Sequence, residues 1–158
     1  MIEINLPELA LPPFSYKIRD SASQRKEIFD EFRNRFVALS PEEWVRQHML
    51  HFLVNNMAYP ARLIGVEVSL PGNRRKQRAD IVVYLKDLSP WMIVECKAPE
   101  IETGIGTFLQ ASRYNAELNV PYLVITNGLK MNAIHMHGLA GKPEILTSLP
   151  EYPTKNLF

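Results

Sequence analysis

The chain has 158 residues with 18 basic and 17 acidic side chains, for a net charge of +1. This size suits one domain with a single core, and the balanced charge excludes a nucleic-acid binder that is basic over its whole surface. The lone cysteine excludes an internal disulfide. No apolar run reaches bilayer length and the N-terminus lacks a signal-like basic segment, so we expect a soluble cytoplasmic protein with no membrane partner.

The first 39 residues predict an arm followed by a strand-rich extension. Three prolines disfavour helix in residues 1–13, which we predict to form an extended arm. Short apolar runs around polar turns then predict three strands in the extension, residues 14–39. These strands are predicted at 16–18, 27–29 and 36–39.

Residues 40–137 are predicted to form the core domain. Ser40 as a cap, Pro41 in the first turn and Glu43 three residues after the cap predict a helix that runs to about Met57. Strands are predicted at 62–70, 78–85, 91–98, 122–126 and 133–136, with a second helix at about 107–118. This order implies an α/β fold with a mixed sheet covered by helices on both faces. The tail, 143–158, is predicted to be irregular.

Two apolar strands carry charges that a buried sheet does not tolerate unpaired. Asp80 lies in residues 78–84 (RADIVVY), and Glu95 and Lys97 lie in residues 91–97 (WMIVECK). Alternation places Glu95 and Lys97 on one face and Cys96 on the other, and Asp80 can face them from the neighbouring strand. Two carboxylates beside an ammonium predict a site for Mg²⁺ or Mn²⁺, the chemistry of a metal-dependent nuclease. The alternative is a salt bridge at the strand ends.

These motifs resemble the PD-(D/E)XK nuclease superfamily. More closely, four segments in order resemble the N-terminal nuclease domain of type I restriction enzyme R subunits: 40–47 (SPEEWVRQ), 78–84 (RADIVVY), 94–99 (VECKAP), and 113–115 (RYN) with 121–128 (PYLVITNG). The resemblance spans about residues 28–132 and implies a restriction-endonuclease-like mixed sheet flanked by helices. Ala79 replaces the usual proline, and we expect a stand-alone version without the motor domains of a full R subunit.

The resemblance implies a Mg²⁺- or Mn²⁺-dependent DNA endonuclease. The resemblance also implies that the metal is bound by Asp80, Glu95 and the Cys96 carbonyl, and that Lys97 positions or deprotonates the attacking water. Glu43 matches the helix-borne acid that reaches the metal in this superfamily.

Glu43 has a second interpretation, because its carboxylate can instead cap the Ser40 backbone. Glu42 is the metal ligand to consider if Glu43 only caps.

A second group of residues supports the catalytic site or contacts DNA, and Gln110 and Tyr114 are assigned to the catalytic set. Gln110 and Tyr114 are one helical turn apart and match a Gln-x-x-x-Tyr motif that by resemblance orients the active site or the nucleic-acid backbone. Arg113 is an accessory phosphate contact. Four cations lie in and beside one turn, where they can hold phosphates or only solvate a hairpin tip: Arg74, Arg75, Lys76 and Arg78.

Other polar residues leave alternatives open. Glu67 can be a further site acid or can face water. Two histidine pairs, 48 with 51 and 135 with 137, have spacings that allow zinc binding, but no third ligand is evident nearby, which favours packing roles.

The rival function is a catalytically silent module of the nuclease fold that binds DNA or a partner, such as a separate helicase or restriction subunit. A nuclease for RNA or branched DNA is a further alternative. Nucleases of this fold often act as dimers, so a homodimer is also open, although the sequence shows no interface for one.

Overall fold

The computed structural model describes residues 5–70, 78–104, 106, 119–137 and 142–154. These residues contain two sheets and one long helix. The strands are β1 (Ile18–Asp20), β2 (Lys26–Asp30), β3 (Arg35–Ala38), β4 (Ile64–Ser69), β5 (Arg78–Tyr84), β6 (Pro90–Cys96), β7 (Tyr122–Thr126), β8 (Met131–Met136) and β9 (Pro143–Leu146). The helix is α1 (Pro41–Asn55), and a short 3-10 turn, Ala61–Leu63, precedes β4.

The strand-rich extension is confirmed as a separate three-stranded sheet. β1, β2 and β3 pair in chain order and antiparallel. A tight turn joins β2 to β3, where the carboxylate of buried Asp30 accepts the backbone N–H groups of Phe32 and Arg33 at 2.7 and 3.0 Å. Asn34 completes the turn with φ of 51°, a conformation that Asn tolerates better than most residues.

The described part of the arm, 5–13, is extended and packs onto the core domain. The Trp44 indole N–H donates to Pro7 O at 2.9 Å, and Ala10 N donates to Gly128 O at 2.8 Å. Gly128 has φ of +83°, and a Cβ there would lie 2.9 Å from the Leu9 side chain. Glycine is therefore required both by the turn and by the close approach of the arm.

Helix α1 begins where the sequence predicts and ends two residues early. Ser40 Oγ accepts the Glu43 N–H at 3.0 Å, and Pro41 takes the first helical position, where no N–H is needed. The chain leaves the helix through Asn56 and turns at Ala58, whose φ is 56°. The apolar side of α1 is fully buried against the sheet through Val45, Met49, Leu50 and Leu53.

The larger sheet has the order β4-β5-β6-β7-β8-β9. Every neighbouring pair is antiparallel except β6 and β7, which are parallel, so the predicted mixed sheet is confirmed. One core cluster packs α1 against Ile81, Val94 and Val124, and a second cluster contains Val82, Ile93 and Leu123. The predicted helix at 107–118 lies outside the described residues, so helical cover of both faces stays a prediction.

The tail differs from its predicted irregular form. Residues 143–146 form β9, which pairs antiparallel with β8 and places Ile145 opposite Ile134. Pro143 is compatible with this strand because it is the first residue, where a missing N–H costs little. The tail is also fixed to the core, since Tyr59 donates to Pro150 O at 2.5 Å and Tyr152 donates to Tyr84 O at 2.9 Å. Within the described residues no helix is long and apolar enough to cross a membrane.

Candidate active site

Asp80 lies where strands β5 and β6 separate. Their pairing runs from Tyr84 opposite Pro90 to Ile81 opposite Val94. Beyond that point the Asp80 carboxylate lies between the strands, and its Oδ2 accepts the backbone N–H of Cys96 at 2.8 Å. The Asp80 and Glu95 carboxyl groups are within hydrogen-bond contact of each other, so the structure brings the two half-motifs together.

Glu95 is beside Asp80 in this opening. Burial, together with the negative charge and the hydrogen bond of the adjacent Asp80 carboxylate, raises the pKa of Glu95 to about 8. Lys97 is near enough to oppose this rise through its positive charge. Cys96 is fully buried in the core cluster that packs against α1, and burial raises the pKa of its thiol. Two adjacent carboxyl groups that share one proton form a site that attracts additional positive charge.

Glu43 uses its backbone and its carboxylate for different purposes. Its N–H donates to the Ser40 cap, whereas its carboxylate accepts hydrogen bonds from Arg33, Arg46 and, at 3.0 Å, Gln47 Nε2. The side chain is only 7% exposed. The carboxylate therefore faces the acid cluster, which consists of Glu43, Glu67 and Asp80 around Arg46, as the metal-binding interpretation requires. Its contacts are with these arginines and Gln47 and not with the Ser40 backbone, as the capping alternative would require.

Arg46 occupies the centre of the acid cluster. One guanidinium nitrogen, Nη2, lies 2.7 Å from Asp80 Oδ1 and 3.4 Å from Glu42, and Nη1 contacts Glu43 and lies 3.7 Å from Glu67. Burial works against its charge, but Glu43 and Asp80 outweigh burial and raise the pKa of Arg46 above its usual value. Arg46 thus supplies a permanent positive charge to the carboxylates that were predicted to hold a metal.

Arg33 brings the N-terminal sheet into the same cluster. Its guanidinium contacts Asp30 and Glu43, and its Nη1 lies 3.0 Å from Glu67 Oε2. Burial of Asp30 favours its neutral form, yet hydrogen bonds and charge from Arg33 prevail and hold the pKa of Asp30 below its usual value. The extension 14–39 is therefore part of the site and is more than an appendage to the core domain.

Glu67 belongs to the site by its contacts with both arginines, although the sequence left its direction open. It lies between Val66 and Val68, whose partners Ile81 and Ala79 flank Asp80 on the neighbouring strand. Its φ is 51°, which costs a non-glycine residue of order 1–3 kcal/mol. Such strain at a residue that contacts charged groups is typical of a functional site.

Several predicted site residues lie outside the described residues: Arg74, Arg75, Lys76, Gln110, Arg113 and Tyr114. Their assigned roles stay predictions. Arg78, which begins β5, is exposed two residues before Asp80, and Glu42 is partly buried, 3.4 Å from Arg46 Nη2. No role in the site was predicted from the sequence for Arg33 or Arg46. The contact between Arg46 and Glu43 could have been predicted, because Arg46 is a cation three residues after Glu43 on the buried part of a helix.

The residues at this site fit a hard divalent cation. Asp80, Glu95 and Glu43 provide carboxylate oxygens, the donor type that Mg²⁺ and Mn²⁺ prefer. Because burial and the Asp80 carboxylate raise the pKa of Glu95, a cation bound beside the two acids would favour the ionised form of Glu95. Among the described residues, Arg46 and the Cys96 N–H already bind Asp80. Glu95 is therefore the acid that can accept a further positive charge.

Comparison with known proteins gives two similarities. A family described as the type I restriction enzyme R protein N terminus matches residues 41–150. A solved fragment assigned as an HsdR subunit of a type I restriction enzyme from Vibrio vulnificus YJ016 is 20% identical with a TM-score of 0.47, over 61% of this chain and 21% of that one. The chain thus spans about a fifth of that structure's length. No curated protein matches the chain.

Proposed function

Since the chain belongs to the type I restriction enzyme R protein N-terminus family, we propose that it is a metal-dependent DNA endonuclease that hydrolyses phosphodiester bonds. The observation that carries this proposal is the Asp80 and Glu95 pair, which lies at a strand opening beside Lys97, where burial and the Asp80 carboxylate raise the pKa of Glu95 to about 8. Asp80, Glu95 and Lys97 are then the PD-(D/E)XK set, and the domain functions in the cytoplasm.

In this proposal Asp80, Glu95, the Cys96 carbonyl and Glu43 hold Mg²⁺ or Mn²⁺. When bound, the ion lowers the pKa of a coordinated water and offsets charge on the phosphate. The protein orients Asp80 through the Cys96 N–H and orients Glu43 through the two arginines and Gln47. Lys97 holds the attacking water through its ammonium or, in its neutral form, accepts a proton from it.

DNA contact is assigned to the basic turn before β5. Arg74, Arg75 and Lys76, with exposed Arg78, would bind phosphates through charge and lend an affinity that falls with salt. Gln110 and Tyr114 would orient the site or the DNA backbone, with Arg113 as a further phosphate contact. A separate helicase or restriction subunit is the proposed protein partner, and a homodimer is an additional arrangement to test by gel filtration.

The direct test is cleavage of supercoiled plasmid by the full chain in Mg²⁺, in Mn²⁺ and in EDTA. We expect metal-dependent nicking or linearisation that the Lys97→Ala variant loses by orders of magnitude. Lys86→Ala is the matched control, because Lys86 lies in an exposed turn away from the acids. Equal cutting by wild type and Lys97→Ala would contradict the roles assigned here.

One observation favours the second candidate, a silent module of the same fold that binds DNA or a restriction partner. Arg46 already neutralises Asp80 and Glu43, and a permanent cation in this position can stabilise the acids without a metal. Titration of Mn²⁺ by calorimetry separates the candidates. Binding that Asp80→Asn abolishes supports the nuclease, whereas a lack of Mn²⁺ binding together with intact DNA binding supports the silent module.

A further inference from the structure

A second group of metal-ligating side chains lies at the far edge of the larger sheet. His135 lies in β8 and His137 follows the last residue of that strand, and the centroids of the two rings are 4.0 Å apart. In the pairing with β9, Glu144 is directly opposite His135. The register therefore supplies the third ligand that is not evident from the histidine spacing alone.

The donor atoms of these three residues converge. All lie within 4.8 Å of one another. His137 Nε2 is 2.7 Å from Glu144 Oε2, and His135 Nδ1 is 4.0 Å from the same oxygen. A tetrahedral zinc ion with bonds of about 2.1 Å needs donor atoms about 3.4 Å apart. Changes of less than about 1 Å in side chains that are at least partly exposed would therefore produce a coordination shell.

His135 is held in place before any ion binds. Its ring stacks on Tyr122 of β7 with centroids 4.7 Å apart and an interplanar angle of 16°. Tyr122 in turn packs edge-on against Trp91, with centroids 5.0 Å apart. A ligand ring fixed by packing loses little freedom on binding, while the side chains of His137 and Glu144, 50% and 57% exposed, remain able to adjust.

We propose that His135, His137 and Glu144 form a zinc-binding site that joins β8 to the edge strand β9. Two imidazoles and one carboxylate suit zinc, whereas Mg²⁺ prefers a shell of oxygens. The site is thus chemically distinct from the Asp80 and Glu95 pair. Three protein ligands leave at least one coordination position open to solvent.

The first test is calorimetric titration of Zn²⁺ into the full untagged chain in excess Mg²⁺. We expect one zinc per chain, with binding at least about tenfold weaker in His137→Ala and in Glu144→Gln. Asp80→Asn is the matched control and should retain the wild-type zinc affinity, since it removes a carboxylate of the other site. Titration with Co²⁺ should give visible absorption from four-coordinate Co²⁺ that His137→Ala loses.

Thermal unfolding gives an independent result that does not depend on activity. Zinc should raise the Tm of the wild type, because the ion binds only when β8 and β9 are paired, and should leave the Tm of His137→Ala unchanged. His137 is an exposed side chain, so its removal leaves the core intact. The proposal is overturned by a wild type that binds no zinc, or by a His137→Ala variant that binds zinc as tightly as the wild type.

Discussion

Arg46 Nη2 lies 2.7 Å from Asp80 Oδ1, so a side chain of helix α1 already engages the acid that the sequence identifies as the main metal ligand. The other oxygen of Asp80 accepts the Cys96 N–H. A metal ion at this acid must therefore share the carboxylate with Arg46 or displace it. This relationship links the stability of the free protein to its affinity for a cation.

Replacement of Arg46 by methionine should destabilise the metal-free protein by about 3–5 kcal/mol, because it removes one positively charged partner from both the buried carboxylate of Glu43 and the neighbouring Asp80. Mg²⁺ should restore part of this loss by supplying the missing charge. Urea unfolding with and without Mg²⁺ measures both effects. Arg62→Met, at an exposed position, is the control. Equal destabilisation of the two variants would show that the charge of Arg46 does not stabilise the ionised acids around it.

The ionisation of Glu95 should make stability fall as pH rises. Its pKa of about 8 in the folded protein exceeds the usual 4.5, so between these values the folded state binds more protons than the unfolded state. The free energy of unfolding contributed by this group therefore declines with rising pH across that window. Unfolding of the metal-free wild type and Glu95→Gln at about pH 6 and about pH 8.5 tests this. Glu95→Gln should lack this part of the decline in unfolding free energy. An identical pH dependence in the variant and the wild type would contradict the raised pKa of Glu95.

Metal binding should couple to the same proton. Near neutral pH the binding of Mg²⁺ to ionised Glu95 should release about one proton, and cleavage should rise with pH until about pH 8. Calorimetry in two buffers of different ionisation enthalpy counts the released protons. Glu95→Gln should release none, so proton release of the same size in both proteins would assign it to another group.

The backbone at Glu67 should favour glycine over glutamine. Both substitutions remove the carboxylate that contacts Arg33, but only glycine also relieves the positive φ of 51°. Glu67→Gly is therefore expected to be more stable than Glu67→Gln by about 1 kcal/mol, opposite to the usual order within a strand. Chemical unfolding of the two variants provides the comparison. If Glu67→Gly is less stable than Glu67→Gln, the positive φ at residue 67 costs little free energy.

Gly128 should be essential for docking of the N-terminal arm. Gly128→Ala introduces a Cβ 2.9 Å from Leu9 at a residue with φ of +83°, and we expect a loss of about 1–3 kcal/mol together with faster proteolysis in the arm. Gly104→Ala is a suitable control, because no atom lies within 4 Å of the added Cβ. Mass spectrometry of limited digests locates the cleavage. Similar digestion of both variants would indicate that the arm does not depend on this contact.

The sequence by itself determined α1, most of the described strands and the pair of strands that carry the site. The Ser40, Pro41 and Glu43 pattern marks the start of α1, and apolar runs mark the strands, because caps and side-chain alternation act between residues close in the chain. Asp80 and Glu95 could be brought together by the same reasoning, since consecutive strands usually pair. The strand at 143–146 was missed because its short, exposed edge pattern is weak.

Tertiary structure decided which cations and which further ligands reach these acids. Arg46 meets Asp80, and Arg33 meets Glu67, across 34 residues of chain in each case. Glu144 becomes the third member of the histidine cluster only through the register of β9 on β8. Nothing local to these residues specifies such pairings, because they depend on how the helix and both sheets pack and on which strand occupies each edge. The chemistry of the acids is thus encoded in short motifs, whereas their charge balance depends on the packed fold.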